Sequence, residues 1–255
     1  MMPIKYSQTP IQLSQNEFNE IDYQVMGQAF ALQNEIGNLW DESDYRHHLA
    51  SMCTKVGLEV FEEVCISISH NGFLKQYFID LLINGNIYEL KAVSSIAKQH
   101  DAQTLNYLFL ANTKHGKIIN FRPDSLKWRF ISTSLQTGDR SKYILKTNEW
   151  NPQTESAQAI PSLLKSMLDD WGAYLATNLY KEALCHFLSI PLDNEHQRFI
   201  PIFSHTILHI SGLGEQKYNL KNNLQKYLNT SEFTELLWIN FDKNKIELSS
   251  LDHSA

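Results

Sequence analysis

The chain lacks what disulfide-built, zinc-built and membrane-spanning architectures require. Its 255 residues include three cysteines, Cys53, Cys65 and Cys185, odd in number and without CxxC spacing. Neither a disulfide framework nor a zinc site is expected, and the thiols read as buried and reduced. No apolar run approaches a membrane span, and the opening MMPIKYSQTPIQLSQNEFNE has no apolar core of signal-peptide length. The expectation is a soluble, cytoplasmic protein. An excess of basic charge is also missing: 22 Lys and Arg against 28 Asp and Glu give a net charge of -6. That argues against a general nucleic-acid coat and leaves room for an enzyme with a local basic groove. No P-loop, nucleophile elbow or dinucleotide fingerprint is present. GLGEQ at 212–216 is too short for a phosphate-binding loop and is expected to open a helix. His47 and His48 are adjacent on a helix and diverge, and His205 and His209 lack acids or cysteines nearby.

What is present is an ordinary globular composition, 43% hydrophobic and 20% charged. Ile21, Val25, Ala29, Leu32 and Ile36 fall at helical spacing, which predicts a helix over 17–36 capped by Ser14 or Asn16 and ended at Gly37. A second helix is expected over 42–56. The period then shortens: strands over 58–69, 73–83 and 87–93 are joined by turns at Asn71-Gly72 and at 84–86. A helix over 98–110 follows, then a strand over 117–121 and an edge strand over 127–133.

From 134 to 158 the sequence is polar and without periodicity, which reads as a linker between a domain at 1–133 and a second unit at 159–255. That unit resembles the first: 87–108 aligns without gaps on 207–228, and IINF at 118–121 falls on WINF at 238–241. Gly37 and Tyr45 have the spacing of Gly172 and Tyr180. The expectation is a degenerate, non-catalytic repeat in which Thr177, His209, Ser211 and Asn223 stand opposite Glu42, Glu89, Lys91 and Gln103.

One stretch, FIDLLINGNIYELKAV at 78–93, sets polar groups inside an apolar hairpin. Glu89 and Lys91 share a strand face, and the tight turn brings Asp80 across to them. Two carboxylates this close repel unless a cation neutralises them. Oxygen-only ligation, with the Leu90 carbonyl as a further donor, suits Mg²⁺ or Mn²⁺. Lys91 is placed to orient or deprotonate a water and to stabilise charge on a phosphate. The alternative is a structural salt bridge between strands.

This D…ExK arrangement resembles the PD-(D/E)XK nuclease superfamily, and EIGNLWDESDYRHHL (35–49), the ExK hairpin and DAQTLNYL (101–108) resemble the GxxExxY protein family within it. The glycine of that family's name is Leu39 here, while Glu42 and Tyr45 are in place. The resemblance implies that Glu42 adds a carboxylate to the metal, directly or through water. It implies that Gln103 and Tyr107, as Q-x-x-x-Y, look onto the site, Gln103 holding Lys91 or the nucleophilic water and Tyr107 meeting a phosphate. Tyr107 has a counterpart in Tyr227, so a core-packing role is the other reading. Lys98, with His100, Lys114, His115 and Lys117, would add a positive rim.

The expected architecture is α/β, a restriction-endonuclease-like mixed sheet flanked by helices and followed by a smaller, degenerate α/β unit. The expected function is metal-dependent hydrolysis of nucleic-acid phosphodiesters, DNA ahead of RNA, with the second unit serving a partner or a homodimer. The alternative is a non-catalytic binding module on the same fold.

Overall fold

The computed structural model describes residues 3–194, 197–212 and 217–253. The chain divides into two units, one of Met1–Ser69 and Leu74–Thr137 and the other of His70–Phe73 and Gly138–Ala255. The residues expected to open a helix at 213–216 lie outside the described ones.

The first unit runs β1 (Ile4–Tyr6), α1 (Gln15–Ile36), α2 (Glu42–Lys55), β2 (Val60–His70), β3 (Phe73–Ile83), β4 (Asn86–Lys91), α3 (Lys98–Ala111), β5 (His115–Asn120) and β6 (Lys127–Ser132). The six strands form one mixed sheet in chain order, with β4 and β5 parallel around the α3 crossover. Strand β1 was not anticipated; it is three residues long and pairs antiparallel with β2. Helix α1 starts at a reciprocal cap, the Glu17 amide donating to Ser14 Oγ at 3.3 Å and the Ser14 amide to Glu17 Oε2 at 2.8 Å.

The apolar stripe of α1 and α2 (Val25, Ala29, Leu32, Tyr45, Leu49) closes on Leu81, Ile83, Tyr88 and Leu90 of the sheet, all buried. Strand alternation therefore turns Glu89 and Lys91 away from this core. Asn84 and Gly85 both have positive φ, 44° and 82°, which fits the two-residue turn that matches strand twist. That turn fixes the register Leu81 opposite Tyr88, so Asp80 arrives beside Glu89.

The second unit contains α4 (Thr137–Arg140), β7 (Ile144–Glu149), α5 (Glu155–Gln158), α6 (Ile160–Trp171), α7 (Thr177–Phe187), β8 (Phe199–Phe203), β9 (Thr206–Ser211), α8 (Lys217–Thr230), β10 (Glu235–Asp242) and β11 (Lys245–Asp252). The stretch 134–158 is thus more than the structureless linker that its polarity suggests. Strand β7 pairs parallel with β11 at the edge of a five-stranded sheet ordered β7-β11-β10-β9-β8. An edge strand with most of its side chains exposed gives no hydrophobic period to read.

Several pairings recur between the units. Ile87 lies opposite Gly116 and Lys91 opposite Asn120; 120 residues later, Ile207 lies opposite Leu236 and Ser211 opposite Asn240. Tyr45 donates to the Gly37 carbonyl at 2.8 Å and stacks on Phe121; Tyr180 donates to the Gly172 carbonyl and stacks on Phe241. Both units are mixed α/β with helices flanking the sheets, as the sequence pattern predicts. No helix among the described residues is long and apolar enough to cross a membrane.

Candidate active site

The polar groups of the ExK hairpin meet at the Lys91 ammonium. Its Nζ lies 2.9 Å from Glu89 Oε1, 2.7 Å from the Leu90 carbonyl, 3.4 Å from Glu42 Oε1 and 3.9 Å from Asp80 Oδ2. Strand β4 supplies Glu89 and Lys91, and β3 supplies Asp80, whose Oδ2 accepts the Leu90 amide at 2.8 Å. Glu42 is the first residue of α2.

The start of α2 is held in place from the sheet side. Arg122 donates to the carbonyls of Ala92 at 3.2 Å, Asn38 at 3.3 Å and Trp40 at 3.2 Å, which binds the loop before Glu42 to the chain leaving β4. Gln33 Nε2 adds bonds of 2.9 and 2.8 Å to the carbonyls of Phe121 and Pro123.

Burial makes these charges costly. The Glu89 side chain is 2% exposed, and its Oε2 has no hydrogen-bond partner. Burial, followed by the Asp80 charge, pushes the Glu89 carboxyl up to about 8, against the pull of Lys91. Asp80 is also raised by burial, although the Leu90 amide, Lys91 and Arg46 oppose the shift. Burial raises Glu42 too, with Lys91 opposing. Burial alone would lower Lys91; the surrounding Glu89, Asp80 and Glu42 carry it upward instead.

Four of the expected residues therefore stand together: Asp80, Glu89, Lys91 and Glu42, with the Leu90 carbonyl. The other three lie on α3. Gln103 Nε2 donates to the Tyr107 hydroxyl at 3.0 Å, and no hydrogen bond joins Gln103 to Lys91 among the described residues. Tyr107 is buried, and its hydroxyl is raised by burial and then by the Glu89 charge. Lys98 is exposed on the first turn of α3, without a hydrogen bond or ion pair to the cluster. The wider rim is also corrected: Lys117 is buried in an ion pair with Asp22, and His115 stacks on Phe130. The Lys117 side chain is 7% exposed and its ammonium is engaged by the Asp22 carboxylate, so it offers no charge to a surface rim.

Sequence reasoning missed Arg46. It lies one turn after Glu42 on α2 and is ion-paired to Asp80 Oδ1 at 3.8 Å, Glu63 at 3.1 Å and Glu62 at 3.7 Å. The i, i+4 spacing to Glu42 was the available signal.

Among the described residues, no group of three His, Cys, Asp or Glu side chains is arranged to hold a metal ion as it stands. The physical reason is the Lys91 ammonium, which occupies the space between the carboxylates. The donor set nevertheless suits a hard divalent cation. It is all oxygen, gathers three carboxylates, and leaves the buried Glu89 Oε2 without a partner.

No curated protein matches the chain. Residues 19–131, from within α1 to within β6, match the family model of the PD-(D/E)XK nuclease superfamily.

Proposed function

We propose that the first unit is a divalent-metal-dependent nuclease, of the GxxExxY kind within its superfamily, that hydrolyses nucleic-acid phosphodiester bonds. The observation that carries this reading is the convergence of Asp80, Glu89, Glu42 and the Leu90 carbonyl on one ammonium. Asp80, Glu89, Glu42 and the Leu90 carbonyl would hold Mg²⁺ or Mn²⁺. When bound, that cation supplies Lewis acidity to the phosphate and acidity to its water.

The remaining chemistry belongs to the chain. Lys91, displaced from the acids, orients the attacking water and stabilises charge developing on phosphate oxygens. Gln103, steadied by Tyr107 one turn along α3, positions the water from the helix side. In-line attack on phosphorus then breaks the P–O3′ bond and leaves a 5′-phosphate. DNA is the favoured substrate over RNA, and the cytoplasm the favoured setting.

In the second unit the β9–β10 register repeats that of β4–β5 without the acids, and we read the unit as a copy stripped of its site. There Ser211 Oγ donates to Asn240 Oδ1 at 2.8 Å and accepts from Trp238 Nε1 at 2.9 Å, so neutral hydrogen bonds occupy the Lys91 position. A guiding surface for nucleic acid, a protein-partner surface or a dimer surface fits such a unit.

A second reading, a non-catalytic binding module, is favoured by the ammonium that neutralises the acids without any metal. Incubation with linear and circular DNA, single- and double-stranded, and with RNA separates the two readings. A nuclease leaves ligatable 5′-phosphate ends in Mg²⁺ or Mn²⁺ and nothing in chelator. Intact substrates under every condition would leave the binding module standing.

A further inference from the structure

Strand β2 carries an irregularity beside the site. Glu62 and Glu63 are both exposed in succession where alternation calls for opposite faces, and Glu63 has φ +49°. A long side chain adopts that left-handed conformation only at a cost, and strained residues in mid-strand re-aim side chains. Here both carboxylates reach Arg46, Glu63 at 3.1 Å and Glu62 at 3.7 Å, while Glu62 also meets His47 Nδ1 at 2.5 Å. The Glu63 side chain is 60% exposed. A pair that open to solvent stabilises a fold too little to explain a strained backbone. The third face of the guanidinium looks onto Asp80 Oδ1 at 3.8 Å, opposite the oxygen that accepts the Leu90 amide.

We propose that Arg46 is a positioning residue, held by the strained Glu62-Glu63 pair, that keeps Asp80 Oδ1 turned toward the guanidinium by charge while the Leu90 amide holds Oδ2, and so presents the carboxylate for cation binding. This rests on the reading of Asp80 as a metal ligand. The guanidinium spreads its charge over three carboxylates, with Nη2 3.1 Å from Glu63 and Nε and Nη1 at ion-pair distances of 3.7 and 3.8 Å from Glu62 and Asp80, a span that a single lysine ammonium cannot cover. Glu42 and Arg46 then form one device on α2, the acid meeting the strand lysine and the base meeting the strand acid.

The test is calorimetric titration of MnCl₂ into wild type, Asp80→Asn, Arg46→Met, Arg46→Lys and Glu63→Gly, with thermal melts of each. Arg46→Met is expected to bind about 10-fold more weakly, as loss of an outer partner of a metal ligand does. Arg46→Lys should lose nearly as much, which a purely charge-based or structural role would not produce. Glu63→Gly should bind more weakly while melting no lower than wild type, because glycine takes the left-handed conformation without strain. The proposal is overturned if the Arg46 and Glu63 variants bind Mn²⁺ within about 2-fold of wild type while Asp80→Asn loses binding. If wild type binds no Mn²⁺, the metal reading falls and the positioning role with it. Should Arg46→Met fail to fold, Glu63→Gly decides the matter alone.

Discussion

Replacing Glu89 with glutamine should flatten a pH dependence that the wild-type fold carries. The folded carboxyl is raised from 4.5 to about 8, chiefly by burial. Above the lower value the unfolded chain has lost this proton while the folded chain keeps it, so the unfolded state binds fewer protons. Stability therefore falls as pH rises, until the folded group also ionises near the upper value. At roughly 1.4 kcal/mol per unit, the loss between pH 6 and pH 8 is about 2 kcal/mol, an order-of-magnitude figure for a coupled buried group. Glu89→Gln removes the titration and keeps the shape. It leaves Lys91 beside a neutral amide, with the Asp80 and Glu42 carboxylates still facing the ammonium. Urea unfolding of both proteins in chelator at pH 6, 7 and 8 measures the difference of slopes, in which other titrating groups cancel. The two proteins should converge or cross as pH rises, and saturating Mn²⁺ should remove the wild-type slope. Parallel stability curves, within about 0.5 kcal/mol across the range, would refute the reasoning.

Other changes test the frame around the site. Gly85→Ala forces a side chain onto φ +82° with its Cβ 2.7 Å from Ile11 Cβ, and should cost about 2 kcal/mol in urea unfolding. A change near zero would mean the turn does not set the β3–β4 register. Gln33→Leu strips the carbonyls of Phe121 and Pro123 of their shared donor and should cost about 2 kcal/mol, read in the same assay. A neutral result would show that water replaces the amide there.

The chemistry of the hairpin was legible because two simple periods carry it. Strand alternation puts Glu89 and Lys91 on one face, and the Asn84-Gly85 turn sets Asp80 across from them. Glu42 came only through family resemblance, since the geometry that brings α2 to the strand depends on Gln33 and Arg122 bonding to main-chain carbonyls. No local pattern announces such bonds. Arg46 was hidden by the assumption that a metal site is built of acids, although its spacing from Glu42 was plain. Lys117 was misread because a buried lysine is paired by a residue far away in sequence, Asp22 on α1. Strand β7 was missed for the opposite reason: an exposed edge strand buries nothing, and its partner β11 begins 101 residues after it does.

The most direct measurement compares wild type with Lys91→Ala, with Mn²⁺ binding and cleavage of labelled DNA read on the same preparations. Removing the ammonium frees Glu89 Oε1, Glu42 Oε1 and the Leu90 carbonyl, the oxygens assigned to the metal. Lys91→Ala is expected to bind Mn²⁺ at least as tightly as wild type and to cut nothing, while wild type cuts and chelator stops it. A Lys91→Ala protein that cleaves as fast as wild type, or a wild type that binds no divalent cation, would contradict that expectation.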